Sequence, residues 1–380
     1  MAEQTRQAHP AAPCAFLFDR SLPLTGGVAH SFLHFGKYRD PTALSLHAIA
    51  CQGIPPDSET AFTAAQMTAH DIGDESYFLP ALRLRRLLKR HRPDVVLCCS
   101  LKPYLLARLA ALCLKTHVIF WHVAITDILD GHLRTALYRL LTRRNDIIAN
   151  SEATARAVAF QAHRGRTHIV PLGVPDWSEA DRTAPAPRAE RPALLGISAD
   201  ALVIAYTASF VAYKRHDILL AAFALLAPEY PHLHLVLIGI GPLRQTIETR
   251  AASLPQGRVH FAGARGDARK LLGAIDIYAH PAVGEGFGLA VVEAMLAECP
   301  VAAARAGALP ELIDDTATGL LCAPADATAL AAALRLLLND AALRTQLGRA
   351  ARKTALTRFS PQRYAADMTA AIATLRNPRG

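Results

Sequence analysis

The sequence predicts an α/β protein built as two doubly wound domains facing a cleft, and three observations carry that prediction. Short apolar runs of strand length alternate with amphipathic segments of helix length almost throughout. The alternation comes in two series, separated by a polar stretch dotted with prolines. At 380 residues, with 52% of them hydrophobic, the chain is long enough for two full cores.

In the first series, AFLF at 15–18, LHAIA at 46–50, DVVLCC at 94–99, THVIFW at 116–121, DIIAN at 146–150 and HIVPL at 168–172 read as strands. Helical segments at 79–91 and 102–114 lie between some of them, as a parallel sheet requires. DWSEADRTAPAPRAERP, 176–192, reads as the linker between domains. The second series follows with LVIAYTA at 202–208, HLVLIGI at 234–240, VHFAG at 259–263, IDIYAHP at 275–281 and PVAAA at 300–304. Ser360 and Pro361 are a natural N-cap and first position for a last helix reaching about residue 375.

The composition narrows the function classes. No apolar stretch reaches the length of a membrane span, and the N-terminus lacks the apolar run of a signal peptide, so a cytoplasmic location is expected. Seven scattered cysteines without CxxC spacing predict neither a disulfide framework nor a zinc site. The net charge of +9 points to anionic partners.

HPAVGEGFGLAVVEAM, 280–295, holds the densest chemistry. The strand before it ends near Pro281, and a helix is expected from Gly288 or Leu289. The intervening loop therefore lies at the carboxyl end of a parallel strand, where open α/β sheets place ligands. The amides of Gly286, Phe287, Gly288 and Leu289 are unpaired donors of a helix start, which favour an anion. Glu285 and Glu293 flank that anion site, and a carboxylate can accept from two adjacent hydroxyls. A nucleotide sugar offers hydroxyls at both ends and a diphosphate between them. Without this setting, the two glutamates would read as solvated charges.

EGFGLAVVEAM resembles the E-x7-E signature of the retaining glycosyltransferases of family 4, which have the GT-B fold of two Rossmann-like domains. CPVAAARAGALPELIDDTATGLLCAPAD and ASFVAYKRHDILLAAF at 208–223 also match that family's pattern. The similarity covers essentially the whole second series. In the first it rests on Gly26-Gly27, the strand ending at His122, and Ser151-Glu152. The resemblance implies that the final helix, 360–380, crosses back onto an N-terminal acceptor-side domain of residues 1–175. Residues 176–359 would form the donor domain.

By the same resemblance, Glu285 would hold hydroxyls of the donor sugar and Glu293 the ribose. Lys214 would neutralise the diphosphate with help from the amides at 286–289. Gly26 and Gly27 would let the N-terminal domain approach the phosphates, and His122 would face the transferred sugar. Where the family often has Gly-Arg, this chain has Ala208-Ser209. Ser209 then stands in the donor-binding position, and Lys214 carries more of the charge. Arg215 is not expected to substitute, because adjacent helical side chains diverge.

Other candidates carry less. IGIGP at 238–242 lacks the third glycine and the downstream acid of a dinucleotide fingerprint. His30 with His34, and His232 with His234, are pairs without a third ligand, and no D-x-D occurs, so no metal and no cofactor are expected. LPALRLRRLLKRHR at 79–92 sets an apolar stripe beside Arg83, Arg86 and Arg90. It reads as a solvated face or as a peripheral contact with an anionic membrane. Nucleic acid is not expected, since no aromatic residues interleave the charge.

The function expected is transfer of a sugar from a nucleotide diphosphate to a hydroxyl acceptor, lipid-linked acceptors included, in polysaccharide, lipopolysaccharide or glycolipid assembly. A nicotinamide-dependent oxidoreductase and a non-catalytic carbohydrate-binding protein of the same fold are the alternatives.

Overall fold

The structure is a computed structural model, and it describes residues 13–24, 27–73, 78–122, 140, 143–158, 164–177 and 185–376. Two parallel sheets organise these residues. The first has seven strands: β1 (Cys14–Asp19), β2 (Ser45–Ala50), β3 (Thr68–Asp71), β4 (Val95–Cys98), β5 (His117–His122), β6 (Ile147–Ala149) and β7 (Thr167–Ile169). The second has six: β8 (Leu202–Thr207), β9 (Leu233–Ile238), β10 (Val259–Gly263), β11 (Ile277–His280), β12 (Val301–Ala304) and β13 (Leu320–Cys322).

The strand orders are β3-β2-β1-β4-β5-β6-β7 and β10-β9-β8-β11-β12-β13. Each order reverses once, between β1 and β4 and between β8 and β11. At such a point the two flanking connections leave on opposite faces and open a crevice above the carboxyl ends. The sequence reading omitted β3 and β13. TAHD is partly exposed at the sheet edge and LLC is three residues long, so neither shows a sustained apolar pattern. HIVPL is strand only to Ile169, since Pro171 has no N–H for the ladder.

The central strands are apolar on both faces because helices cover both. Val95–Cys98 and Val301–Ala304 are buried at every position. The predicted linker is tied at both ends: Asp176 pairs with Arg352 at 2.9 Å, and buried Arg191 pairs with Asp276 at 2.8 Å.

The last helix, Pro361–Leu375, is capped by Ser360, whose hydroxyl accepts from the Arg363 amide at 3.4 Å. It lies against the first domain. Tyr364 is buried and donates to the Ser31 carbonyl at 3.2 Å, and Arg166 donates to the Thr374 carbonyl at 2.9 Å. Gly173 makes this packing possible, since a Cβ there would stand 2.6 Å from Pro361 Cα.

Candidate functional site

Both loops at the switch point of the second sheet carry predicted site residues. The loop after β8 bears Ser209 and Lys214; the loop after β11 bears Glu285 to Gly288. Their backbones are joined by the Val283 amide, which donates to the Tyr213 carbonyl at 2.9 Å. Tyr206, buried in β8, donates from its hydroxyl to the Lys214 carbonyl at 3.0 Å and fixes that turn.

The result is a buried charge cluster. Lys214 Nζ donates to Glu285 Oε2, and His280 Nε2 lies 3.0 Å from the same oxygen. The side chains of Lys214 and Glu285 are 14% and 13% exposed, so both charges sit largely out of water. Burial would raise the pKa of Glu285, but the hydrogen bond from His280 and the charge of Lys214 outweigh it and bring it down to about 2. His280 is lowered by its own burial, which keeps the ring neutral with its Nε2 proton toward the carboxylate.

The main chain around Glu285 is held from two sides. Its carbonyl accepts from the Ala308 amide at 3.0 Å. Gly307, at φ 55°, lets that loop come so close, since a Cβ would stand 2.4 Å from the Glu285 oxygen. From the other domain, Ser151 Oγ and Thr154 Oγ1 donate to the Gly286 carbonyl at 2.6 and 3.0 Å. Because the peptide is planar and trans, the Phe287 N–H points away from those hydroxyls.

Phe287 itself is buried, edge-on to Phe359 with ring centroids 5.7 Å apart. It anchors the loop. Gly288 enters the helix Leu289–Leu296 at φ 105°, a left-handed conformation that favours glycine. Leu289 faces Gly27, which begins the helix Gly27–Tyr38: a Cβ on Gly27 would touch Leu289 Cδ1 at 3.4 Å. Two helix N-termini, one from each domain, therefore converge, and their unpaired amides favour an anion between them.

A second interdomain contact lies beside the first. The Glu311 carboxylate accepts from the amides of Glu152 and Ala153 at 2.8 and 2.7 Å and so caps the helix Glu152–Val158 from the opposite domain. Arg156 stands 3.6 Å from it.

The remaining predicted residues are dispersed. Glu293 lies one turn into its helix, with Arg269 Nε 3.5 Å away. Burial raises its pKa and the Arg269 charge opposes that rise. Arg269 in turn stacks on Trp177 at 4.4 Å and donates to the Pro175 carbonyl at 2.7 Å. Ser209 is exposed at the mouth of its loop. Arg215 is turned aside, pairing with Asp217 through two 2.9 Å contacts. His122 ends β5, with its side chain outside the described residues, and Gly26 lies outside them altogether.

His280, Gly307 and Glu311 belong to the site although the sequence assigns them no role. The signal for His280 was its place at the last position of β11, five residues before Glu285. The glycines of IGIGP also receive an explanation: Cβ atoms on Gly239 and Gly241 would lie 2.0 Å from Ala208 O and 2.6 Å from Phe210 N. They serve close packing of two loops. Members of the histidine pairs bond elsewhere: His34 bonds the Gly173 carbonyl at 3.0 Å while its ring lies 5.9 Å from that of His30, and His234 bonds His260 at 2.9 Å.

Two family models match this frame. Residues 48–176 match the one described as Glycosyltransferase Family 4, and residues 188–354 match Glycosyl transferases group 1. The two matches meet almost end to end; they cover the second sheet and the first from within β2 onward, and β1 precedes them.

The chain belongs to glycosyltransferase family 4.

Among relatives, a D-inositol 3-phosphate glycosyltransferase of Streptomyces avermitilis is 32% identical over 234 residues, covering 57% of this chain and 49% of that protein. A lipopolysaccharide core biosynthesis glycosyltransferase, LpsE, of Rhizobium meliloti is 25% identical over 338 residues, covering 88% and 92%. The chain spans about half the length of the relatives it matches at 30–34% identity. Among solved structures, Anabaena HepE in complex with UDP and glucose superposes with a TM-score of 0.81 at 20% identity, over 96% of this chain and all of that one. At that identity the likeness establishes the GT-B fold. Among the described residues, no helix is long and apolar enough to cross a membrane.

Proposed function

We propose that this family 4 member transfers a sugar from a nucleotide diphosphate sugar to a hydroxyl acceptor with retention at the anomeric carbon. One observation carries the proposal. A lysine and a glutamate 71 positions apart share one oxygen contact beside two converging helix N-termini. An anion site with a hydroxyl-binding carboxylate at its edge suits a diphosphate joined to a sugar.

In this reading the diphosphate enters between Gly27 and Leu289, and Lys214 turns from Glu285 to the phosphate oxygens. Glu285, kept ionised and oriented by His280, accepts from sugar hydroxyls. Glu293, with Arg269 beside it, accepts from the ribose. The bond from the anomeric carbon to the diphosphate oxygen breaks, and the acceptor oxygen bonds to that carbon on the same face. The acceptor proton passes to the departing phosphate oxygen. Positioning and electrostatic stabilisation of the leaving group supply the rate. The cation and helix ends take the place of a divalent ion in the cleft, and no cofactor is required.

The relatives' names support polysaccharide or lipopolysaccharide assembly, and the HepE complex supports uridine as the base. Peripheral membrane contact fits the helix Phe78–His91. Arg83, Arg86 and Arg90 are exposed on it, and Phe78, Leu79 and Leu82 are 67%, 46% and 37% exposed at its start. Apolar tips beside a basic stripe suit an anionic bilayer surface. Such contact would hold the protein at the cytoplasmic face, near a lipid-linked acceptor.

The test is a thermal-shift screen against UDP, GDP, ADP and NAD, since a ligand that binds the folded state raises its apparent stability. A nucleoside diphosphate should raise the melting temperature and NAD should not. Stabilisation by NAD alone would favour the oxidoreductase. Binding of a nucleotide sugar with no transfer to any acceptor and no hydrolysis would favour a binding protein.

A further inference from the structure

Three histidines with no motif in common meet on the flank of the first sheet. His47 is in β2, His70 in the edge strand β3, and His91 ends the helix Phe78–His91. We propose that His47, His70 and His91 form a binding site for a zinc-type divalent ion, separate from the carboxylate cleft.

The geometry starts from the sheet. Ile49 pairs with His70, so His47 and His70 are diagonal neighbours on one face. Their rings stack 17° from parallel, and His47 Nδ1 lies 3.0 Å from His70 Nε2. The His91 ring lies over both, 4.5 and 5.8 Å from their centroids. One ring nitrogen from each histidine lies within 4.8 Å of the other two. Metal–nitrogen bonds of about 2.0–2.1 Å in tetrahedral geometry need nitrogens about 3.3 Å apart. The His47–His70 pair is within about 0.4 Å of that separation. His91 reaches it by a movement on the order of 1.5 Å at a helix end.

The surroundings select the kind of ion. Phe16 closes the inner side, 4.8 Å from the His47 ring, while His70 and His91 remain partly exposed and leave a fourth position to water. The neighbouring charge is cationic. Arg39 is buried with its guanidinium spent on the carbonyls of Leu44, Gly36, Ala65 and Gln66, and Arg90 acts on His70 and His91. That charge opposes any divalent ion alike, and the ligand type does the selecting: an all-imidazole set disfavours magnesium and calcium, which want carboxylates, and suits zinc, nickel or copper.

The experiment uses the full-length, untagged protein, stripped by dialysis against chelator and titrated with cobalt(II) as a visible reporter and then with zinc. Expected are one equivalent of cobalt with the intense absorption of a tetrahedral site, its displacement by zinc, and a zinc-dependent rise in melting temperature. His70→Gln and His91→Gln, both at partly exposed positions, should each abolish the cobalt spectrum and the zinc-dependent rise while leaving the circular dichroism unchanged. His234→Gln, which breaks the other histidine pair, should leave both intact. Failure of the wild-type protein to bind stoichiometric cobalt or zinc overturns the site, as does binding that survives His70→Gln or His91→Gln. Nucleotide binding and sugar transfer are not expected to move, so this outcome is separate from the fate of the glycosyltransferase reading.

Discussion

Replacing Glu285 by glutamine keeps the shape of the side chain and removes its charge, and the cluster around it sets the size of the effect. The folded carboxylate titrates at about 2 against an ordinary 4.5. At 1.36 kcal/mol per unit, its ionised form is favoured in the fold by about 3 kcal/mol. The side chain is 13% exposed, so solvent screening takes little from that figure. Glu285→Gln gives up this contribution and leaves Lys214 facing an amide, so a loss of about 3 kcal/mol is expected at pH 7. The sign in pH follows from linkage. A carboxylate with a lowered folded pKa contributes fully above 4.5, and the contribution is lost as pH falls from 4.5 toward 2. Urea unfolding of wild type and variant at pH 7, 4.5 and 3.5 reads this directly. Their difference should be largest at pH 7 and shrink by about 1.4 kcal/mol per unit below 4.5. In sugar transfer, the proposed contact of this carboxylate with the reacting sugar predicts that turnover falls far more than donor affinity. A variant as stable as wild type at every pH, with equal small changes in turnover and affinity, would return the cluster to an incidental ion pair.

Glu311→Ala should strip the cap that one domain places on a helix of the other, at a cost of about 1–2 kcal/mol, with Glu311→Gln keeping part of it. Hydrogen exchange at the amides of residues 152 and 153 reports the change, and unaltered protection would refute it. His216 is buried, packed on Tyr206 and Phe210, with both ring nitrogens unpartnered among the described residues; burial, then the charge of Lys214, hold it at about 4, with Asp217 opposing and His280 adding to the effect. The unfolded chain therefore binds the proton first, so this residue costs stability as pH falls from 6.5 toward 4, about 2 kcal/mol by pH 5. His216→Phe should flatten that part of the urea-midpoint profile, and an unchanged slope would count against it. Replacing Arg83, Arg86 and Arg90 together should abolish sedimentation with anionic liposomes at ~1 kcal/mol per charge, and high salt should do the same to the unmodified protein. Wild-type protein that ignores such liposomes at low salt would make the helix a solvated face. Sugar transfer should survive EDTA, and complete loss restored by manganese would overturn the account of the diphosphate held by Lys214 and helix ends.

Much of this was legible in the sequence because its causes are local. Burial on both faces writes continuous apolar runs such as VVLC and VAAA, and the helices between them carry their own periodicity. The buried central strands could therefore be read one by one, whereas the edge strands β3 and β13 could not. Glu285, Gly288 and Glu293 are legible for the same reason: a strand end, a glycine turn and a helix start are neighbours along the chain. What lies far apart in sequence was decided by tertiary structure. The contact of Lys214 with Glu285 exists because β8 and β11 are adjacent at the switch point. His280 joins them because it is the last residue of that strand. Ser151 and Thr154 reach the Gly286 carbonyl, and Glu311 caps residues 152 and 153, across more than 130 positions. Gly307 is required by a backbone passing 2.4 Å from where its Cβ would be. The meeting of His47, His70 and His91 needs strand register and the end of a helix at once. Local pattern sets which segment becomes strand or helix, because burial and backbone hydrogen bonding repeat along the chain. Which side chains then meet is set by how the elements pack, and no spacing in the sequence encodes that.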